Sequence, residues 1–419
     1  MVGFLDRLRR SPQSGGPAGS RSDLHDEPWA LAWTLGWTEL VSWGVLYYAF
    51  SALLVPMQNE FGWSTAAITG AYSLALFVSG VLAPAIGRYI DHHGARGVMT
   101  IGSILGVALV LVWSGIDTLP GFYVLWIGMG VALAGTLYDP AFAAIAPWFS
   151  KNRGKAMLIV TFLGGLASTV FFPLTGWLEQ RYGWREALVI LAGILAVATI
   201  LPHWLVLRAP DRTDARRQFR PTVSWGSLVH SVWFRRLAIA FFLQSFTSAG
   251  VTVHMIAYLI DRGISPTTAA WTAGLIGAAQ TGARVMITIF EKSASTVTLT
   301  SIMFATQTLS ILLLVAWPSG GATILAALLL GVGKGALTLL RPAILLEHYD
   351  VQEFGSVNGS MASVLNAATA AAPVATGLAV GMLSGYTWVF GIFAVLSLIS
   401  GVVLWATRLV PAPNAQYAP

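Results

Sequence analysis

The stretch RAPDRTDARRQFRPTVSW (Arg208–Trp225) decides the fold, because it is a long polar break between two apolar halves of the chain. Apolar runs of about 20 residues, the length that crosses a hydrocarbon core about 30 Å thick, recur on both sides of it. We place them at 30–56, 66–86, 97–116, 120–148, 154–178 and 184–208, and then at 233–260, 267–290, 297–316, 319–346, 355–384 and 386–408. The sequence therefore predicts six membrane spans in each half.

The composition agrees with a chain that lies mostly in lipid. Of the 419 residues, 56% are hydrophobic and only 10% are charged, against about 25% charged in soluble domains. A membrane-spanning backbone must bond within helices or a closed barrel, and these runs are too continuous for alternating barrel strands. We predict an all-α polytopic membrane protein with a disordered tail (1–28), a six-helix bundle (29–208), a linker (209–232), a second six-helix bundle (233–408) and a C-terminal tail (409–419).

The positive charges predict the orientation. Of the 24 lysines and arginines, 18 lie on the side of the two termini, and Arg181, Arg185 and Arg262 lie on the other. By the positive-inside rule both termini are cytoplasmic. The net charge of +6 is therefore explained by topology and does not indicate nucleic-acid binding. The absence of cysteine excludes disulfides and cysteine nucleophiles, and the short loops favour a bacterial inner membrane.

The two halves repeat each other in parallel orientation. Gly62 and Asp91, which bracket the second span, are 29 residues apart, and Gly263 and Glu291, which bracket the eighth, are 28 apart. Parallel six-helix repeats are typical of transporters whose binding site lies between the halves near the middle of the membrane.

A motif between the second and third spans carries a wider resemblance. GRYIDHHGARG (Gly87–Gly97) resembles the loop motif of the major facilitator superfamily. The resemblance implies a gate, and an acid at a helix end beside a basic residue can form one by ionic pairing. We therefore predict that Asp91 and Arg96 take part in closing the cytoplasmic side.

Four further stretches resemble the monocarboxylate and oxalate porters of that superfamily. They are YYAFSALLVPMQNEFGWS (Tyr47–Ser64), YDPAFAAIAPWFSKNRGKAM (Tyr138–Met157), YGWREAL (Tyr182–Leu188) and AAQTGARVMITI (Ala278–Ile289). Their order and spacing match the family over nearly all of the membrane part. The resemblance implies two pseudo-symmetric six-helix bundles, a small carboxylate substrate and transport by alternating access.

Arg284 stands in the eighth span with no acidic residue within one helical turn. A charge at this depth costs roughly 2.5–3.5 kcal/mol even on lenient insertion scales. Three explanations are open: a substrate anchor, a buried ion pair, or a side chain that reaches the cytoplasmic interface. The planar guanidinium suits a carboxylate, which it holds through two parallel hydrogen bonds. The resemblance also implies an arginine here that binds the substrate carboxylate.

Polar residues in other spans are candidate partners of this arginine. Gln280 lies one turn earlier on the same helix face, and Tyr138, Tyr48 and Thr136 are candidate substrate ligands from the fourth and first spans. The monocarboxylate transporters typically carry an aspartate in place of Gln280 and a lysine in place of Ala52. The family's proton mechanism therefore cannot be transferred to this chain.

Five ionisable residues remain inside the predicted spans. Glu39, Asp139 and His254 are candidates for proton coupling, although a histidine in a membrane helix is also commonly a neutral packing residue. Lys334 and Arg341 share one helix face about two turns apart and form a second basic stripe. The alternative is that Lys334 forms an ion pair with Asp139 or Glu39, while Arg341 reaches the cytoplasmic rim.

These observations predict a secondary transporter of small organic anions such as lactate or pyruvate. Its coupling to protons, to a counter-anion or to neither stays open. Two alternatives also remain: a transporter of a neutral or cationic solute, with Arg284 paired to Glu39 or Asp139, and a transporter-like sensor. The chain lacks a phosphate-binding Gly-Lys-Ser/Thr motif, which argues against an ATP-driven pump. We predict no enzymatic activity, cofactor or metal, and a monomer.

Overall fold

Helices make up the fold. The computed structural model describes residues 27–149, 152–207, 225–290, 294–318, 320–349, 351–383 and 385–409, and every regular element within these ranges is helical. The long helical segments are α1 Trp29–Phe61, α2 Thr65–His93, α3 Ala95–Ser114, α4 Leu119–Ile145, α5 Arg153–Tyr182, α6 Trp184–Val206, α7 Val232–Asp261, α8 Pro266–Phe290, α9 Thr296–Ala316, α10 Gly321–His348, α11 Val351–Met382 and α12 Tyr386–Trp405. The predicted all-α membrane fold is confirmed.

Eleven of these segments are long and apolar enough to cross a membrane. The segment outside that set is α8, which has 25 residues. It is long enough to span and on average as apolar as α7 and α11, and its last three side chains lie outside the described residues. This helix carries Gln280 and Arg284.

Several helices extend beyond the predicted spans. We predicted ends at residues 56 and 86, whereas α1 continues to Phe61 and α2 to His93. Helices continue past the hydrocarbon core until a local signal stops them. For α1 that signal is Gly62, whose φ of 67° suits a residue without a side chain. Most of the predicted linker and nearly all of both predicted tails lie outside the described residues.

Four helices of the first half are interrupted along their length. In α1 a π-helical turn runs over Trp43–Tyr48, and in α6 another runs over Ala196–Ile200. In α4 the backbone leaves the helix at Leu137, because the ring of Pro140 obstructs the carbonyl four residues earlier. In α5 a turn at Leu166 separates two helical pieces. Such interruptions are tolerated at membrane depth where they lie within protein or line a cavity.

The two halves meet on the side of the molecule opposite the chain termini. Between α2 and α11, the backbone N–H of Val374 donates to the Ser73 hydroxyl at 3.0 Å. Between α5 and α8, the Thr169 hydroxyl donates to the Gly274 carbonyl at 2.9 Å, and the Thr267 hydroxyl donates to the Gln180 side chain at 2.7 Å. We call this side the sealed face.

The halves separate toward the other side, which carries the first and last helix ends. The approach of α2 to α11 ends near Gly80 and Asn366, where a Cβ added at the glycine would lie 3.9 Å from the asparagine Cβ. Beyond that point, α2 exposes Val81 and Tyr89. We call this side the terminal face. The structure is thus closed on one face and open on the other.

Glycines bring α10 against the backbone of α8. A Cβ at Gly335 would lie 2.0 Å from the Gln280 carbonyl oxygen, and one at Gly331 would lie 2.3 Å from that of Ile276. These two glycines are one turn apart. The contact fixes α8, and with it Arg284, against α10.

We expect Gly335→Ala to lower the thermal midpoint of unfolding, because its methyl group would meet a backbone oxygen that cannot rotate away. Overpacking of this kind costs about 1–3 kcal/mol. The matched control is Gly282→Ala on α8, where an added Cβ has no atom within 4 Å. Thermal unfolding of both purified variants in detergent checks this. Equal midpoints would contradict the proposed close contact.

Candidate functional site

Arg284 is buried between the two halves, with a side chain only 3% exposed. Its Nη1 donates to the backbone carbonyl of Thr161 on α5, and its Nε has no hydrogen-bond partner in the described part of the chain. Within the same ranges, the ion pairs of the structure are those of Arg185 with Glu60 and Asp117. Among the described residues, the guanidinium therefore has no carboxylate partner.

Two tyrosines surround this guanidinium. The phenols of Tyr138, at the break of α4, and Tyr48, at the end of the π-helical turn of α1, both interact with it. The ring of Trp43 lies 5.0 Å from that of Tyr138, and the ring of Phe172 lies 5.2 Å from that of Tyr48. The arrangement is one cation, two hydroxyl groups and an aromatic wall.

Two glycines next to the break of α5 make room for these side chains. A Cβ at Gly164 would lie 2.6 Å from the Tyr138 hydroxyl oxygen. One at Gly165 would lie 2.9 Å from Nη1 of Arg284 and 2.7 Å from the Thr281 hydroxyl oxygen. The interruption of α5 thus coincides with the position where α4 and α8 place their polar groups.

A second cation lies in the same interior. The Lys334 ammonium of α10 donates to the Thr252 hydroxyl of α7 at 2.9 Å and interacts electrostatically with Arg284. Further along α10, Arg341 interacts with the exposed Asp139 across the two halves. The basic stripe is therefore divided: Lys334 faces the guanidinium, and Arg341 faces an acid.

Glu39 is fully buried in α1. Neither carboxyl oxygen has a hydrogen bond of standard geometry among the described residues, and the indole of Trp43 is the donor that interacts with it. The titratable side chains that interact with it are Asp139 and Tyr138, both at the break of α4. Glu39 thus interacts with Tyr138, the same tyrosine that contacts Arg284. Within the described residues it forms no ion pair.

Two predicted residues lie elsewhere. His254 is buried in the second half, where Nε2 donates to the Pro373 carbonyl at 3.0 Å and Nδ1 lies 3.3 Å from the Tyr386 hydroxyl. A neutral ring satisfies both contacts. The Thr136 hydroxyl donates to the Ala132 carbonyl of its own helix at 2.7 Å. Its methyl group faces α3 at Gly102, away from the tyrosines.

The predicted gate is not formed in this open state. Asp91 is exposed at the end of α2, and it is outside the ion pairs that the described ranges contain. The guanidinium carbon of Arg96 lies 4.1 Å from the ring centroid of Trp204 on α6. A pairing of Asp91 and Arg96 stays a prediction for the state in which the terminal face closes.

The position of Gln280 is set by backbone packing. Its carbonyl lies against Gly335, and its side chain is half-buried one turn before Arg284. The backbone of Gln280 thus contacts α10 at Gly335, the residue that follows Lys334.

Sequence reasoning missed several contributors to the site. They are Trp43, Ser168, which hydrogen-bonds Tyr48, the carbonyl of Thr161, and Thr252. Only the break of α4 had a local signal, the proline at position 140. A backbone carbonyl and a hydroxyl from another helix have no sequence signature.

The comparisons with known proteins agree with this architecture. The family model of the Major Facilitator Superfamily matches residues 35–328 and 293–418. The chain belongs to this superfamily of transporters. Among solved structures, that of the nucleoside transporter NupG superposes with a TM-score of 0.70 at 16% identity, covering 91% of this chain and 99% of that one.

Curated relatives are similar at low identity. An MFS-type transporter of Gibberella moniliformis is 24% identical over 87% of this chain and 89% of its own length. The oxalate:formate antiporter of Oxalobacter formigenes is 24% identical over 52% of each chain. Monocarboxylate transporter 13 of Rattus norvegicus is 26% identical over 58% of this chain and 56% of its own length. The predicted resemblance to the monocarboxylate and oxalate porters is confirmed.

The open terminal face predicts which positions react with water-soluble reagents. The protein has no cysteine, so single substitutions have no background. We expect Asp139→Cys to react with a membrane-impermeant thiol reagent, because Asp139 is exposed. Thr69→Cys should be protected, because Thr69 is 0% exposed beside Gly377 at the sealed face. Labelling rates in vesicles measure both, and faster labelling at position 69 would contradict the described conformation.

Proposed function

We propose that this protein is a secondary transporter of small organic anions, with monocarboxylates such as lactate and pyruvate as its substrates. The observation that supports this most directly is the burial of Arg284 without a carboxylate partner in the described residues. A buried guanidinium is stable when a negative group pairs with it. In this chain the missing negative group is the substrate.

The chemistry of the surrounding side chains suits a carboxylate. Arg284 can donate two parallel hydrogen bonds to the two oxygens of a carboxylate group. The hydroxyls of Tyr138 and Tyr48 can donate to the same oxygens. The half-buried ring of Trp43 provides aromatic surface for a short carbon chain. The site is therefore matched to a compact acid with one charged and one apolar end.

The arrangement of the halves supports alternating access. Arg284 belongs to the second half, whereas Tyr138 and Tyr48 belong to the first, so a bound anion would contact both. Rocking of one half against the other would then expose the anion to the two faces in turn. By the positive-inside rule, the side with more lysine and arginine faces the cytoplasm, so we propose that the terminal face is cytoplasmic. We also propose that the protein is a monomer and that it lies in a bacterial inner membrane.

The relatives support the same class of substrate. One is named as an oxalate:formate antiporter and another as a monocarboxylate transporter. The alternative of a neutral or cationic substrate relies on Arg284 being neutralised by Glu39 or Asp139. No such pair is present within the described ranges. A sensor role has no comparable observation in its favour.

Arg284→Ala is expected to abolish transport of L-lactate in proteoliposomes, while Arg284→Lys retains the charge but loses the paired hydrogen bonds. Loss of one charged hydrogen bond costs about 1.5–3 kcal/mol. We therefore expect Arg284→Lys to have a roughly 10- to 150-fold lower affinity for lactate. The matched control is Arg262→Ala, since Arg262 bonds Thr387 at an exposed position. Uptake of radiolabelled lactate by the four proteins measures this.

Two outcomes would contradict the proposal. One is lactate uptake by Arg284→Ala at the wild-type rate. The other is a folded wild-type protein that transports none of a panel of short carboxylates, while Arg284→Ala only lowers the thermal midpoint. The second result would make Arg284 a structural donor to the Thr161 carbonyl.

A second candidate substrate class is dicarboxylates. It is favoured by Lys334, which lies close enough to Arg284 for the two cations to interact. Two cations within one interior can hold two negative charges, one on each carboxylate.

Lys334→Gln separates the two classes. If the substrate carries two carboxylates, this variant loses competition by malonate or succinate against radiolabelled substrate and keeps competition by lactate. If the substrate is a monocarboxylate, both competitors change to the same degree. Inhibition constants for the wild type and the variant distinguish these results, and Lys155→Gln, at the start of α5, is the control.

A further inference from the structure

Four buried side-chain atoms of α1 lack a hydrogen bond of standard geometry among the described residues: both carboxyl oxygens of Glu39, the Ser42 hydroxyl and the indole Nε1 of Trp43. Buried polar side-chain atoms are rarely left in this condition. The indole of Trp43 is the donor that interacts with the Glu39 carboxyl. The two residues are one turn apart, and Trp43 begins the π-helical turn. Turns of this kind often occur at functional sites.

The burial of Glu39 determines its charge in this conformation. An ionised carboxylate without a cation beside it and without exposed surface is costly, so such a group stays neutral by holding a proton. Of the elements that pack against this part of α1, α4 presents Asp139 and Tyr138, and α6 presents His203, whose Nδ1 lies 2.8 Å from the Ser103 hydroxyl of α3. The first piece of α5 packs on Gly36 through Leu163 and Ile159, and its cations Arg153 and Lys155 lie at the other end of that piece. Glu39 is therefore a carboxylic acid in the structure described.

The anion site and the buried acid share one neighbour. The Tyr138 phenol interacts with Arg284 on one side and with Glu39 on the other. An anion bound at Arg284 therefore changes the electrostatic surroundings of Glu39 through a single side chain. The next residue, Asp139, is exposed toward the terminal face and interacts with Glu39. The break of α4 thus brings an exposed acid, which also interacts with Arg341 of α10, within electrostatic range of the buried acid.

We propose that Glu39 is the proton-binding site of this transporter and that Asp139 passes the proton between Glu39 and the open terminal face. This inference rests on the proposed transport of carboxylates. Glu39, already protonated in the open state, holds one proton while Arg284 binds one carboxylate anion. The proton and anion then cross together and leave together, so a monocarboxylate moves without net charge. Glu39 of α1 thus takes the role of the aspartate that the monocarboxylate transporters typically carry in place of Gln280 on α8.

Glu39→Gln tests the assignment, because glutamine has the shape of a neutral glutamic acid and preserves the packing. In proteoliposomes we expect the variant to exchange internal for external lactate at a rate close to wild type. Its response to an inward proton gradient should disappear, so that uptake with and without the gradient is equal. Asp139→Asn should slow gradient-driven uptake without removing it. Glu179→Gln, a change on α5 away from this cluster, should behave as the wild type.

Two results would overturn the proposal while carboxylate transport stands: gradient-driven accumulation by Glu39→Gln, or wild-type transport that no proton gradient stimulates. If no carboxylate is transported, the protonation of Glu39 can still be tested by a measurement that needs no substrate. The infrared spectrum of the purified protein should contain the carbonyl stretch of a protonated carboxyl group, and this band should be missing in Glu39→Gln. An identical band in both proteins would show that Glu39 is ionised, and it would contradict the assignment independently of the substrate.

Discussion

The rest of the structure depends on the burial of one guanidinium group between the two halves of the chain. Arg284 donates to a backbone carbonyl of α5, hydrogen-bonds Tyr138 and interacts electrostatically with Tyr48, but no carboxylate of the described residues neutralises it. A cation in a membrane interior is expensive unless water or a counter-charge reaches it. Because Arg284 is only 3% exposed, little water reaches it, and the proposed substrate provides the counter-charge.

The interruptions of the surrounding helices follow from that constraint. A regular α4 would continue through Leu137, and a regular α5 through Leu166. The break of α4 lies beside Tyr138, and the break of α5 follows the glycines that leave space for Arg284 and Tyr138. Three of the interruptions of the first half, those of α1, α4 and α5, therefore lie beside the site, whereas the π-helical turn of α6 lies away from it. The sealed face, by contrast, is made of continuous helices in direct contact.

The spans were predictable from sequence because the apolar length needed to cross a bilayer is a local property. Arg284 and Tyr138 were also predictable, the first as a charge in an apolar segment and the second by its position in a family motif. The surroundings of Thr136 and His254 were not, because the direction of a side chain on a helix depends on which neighbour packs against it. The contributions of Trp43 and Thr252 were missed for the same reason. A π-helical turn in α1 rotates the residues that follow it, and no local pattern announces it.

The central claim is that the guanidinium of Arg284 holds the carboxylate of the substrate. Solid-state magnetic resonance tests it directly, with lactate labelled in its carboxyl carbon and protein labelled in the arginine side-chain nitrogens. We expect a dipolar coupling between the two labels, and we expect this coupling to disappear in Arg284→Lys. Bound lactate whose carboxyl carbon shows no coupling to arginine, or a coupling that survives in Arg284→Lys, would contradict it.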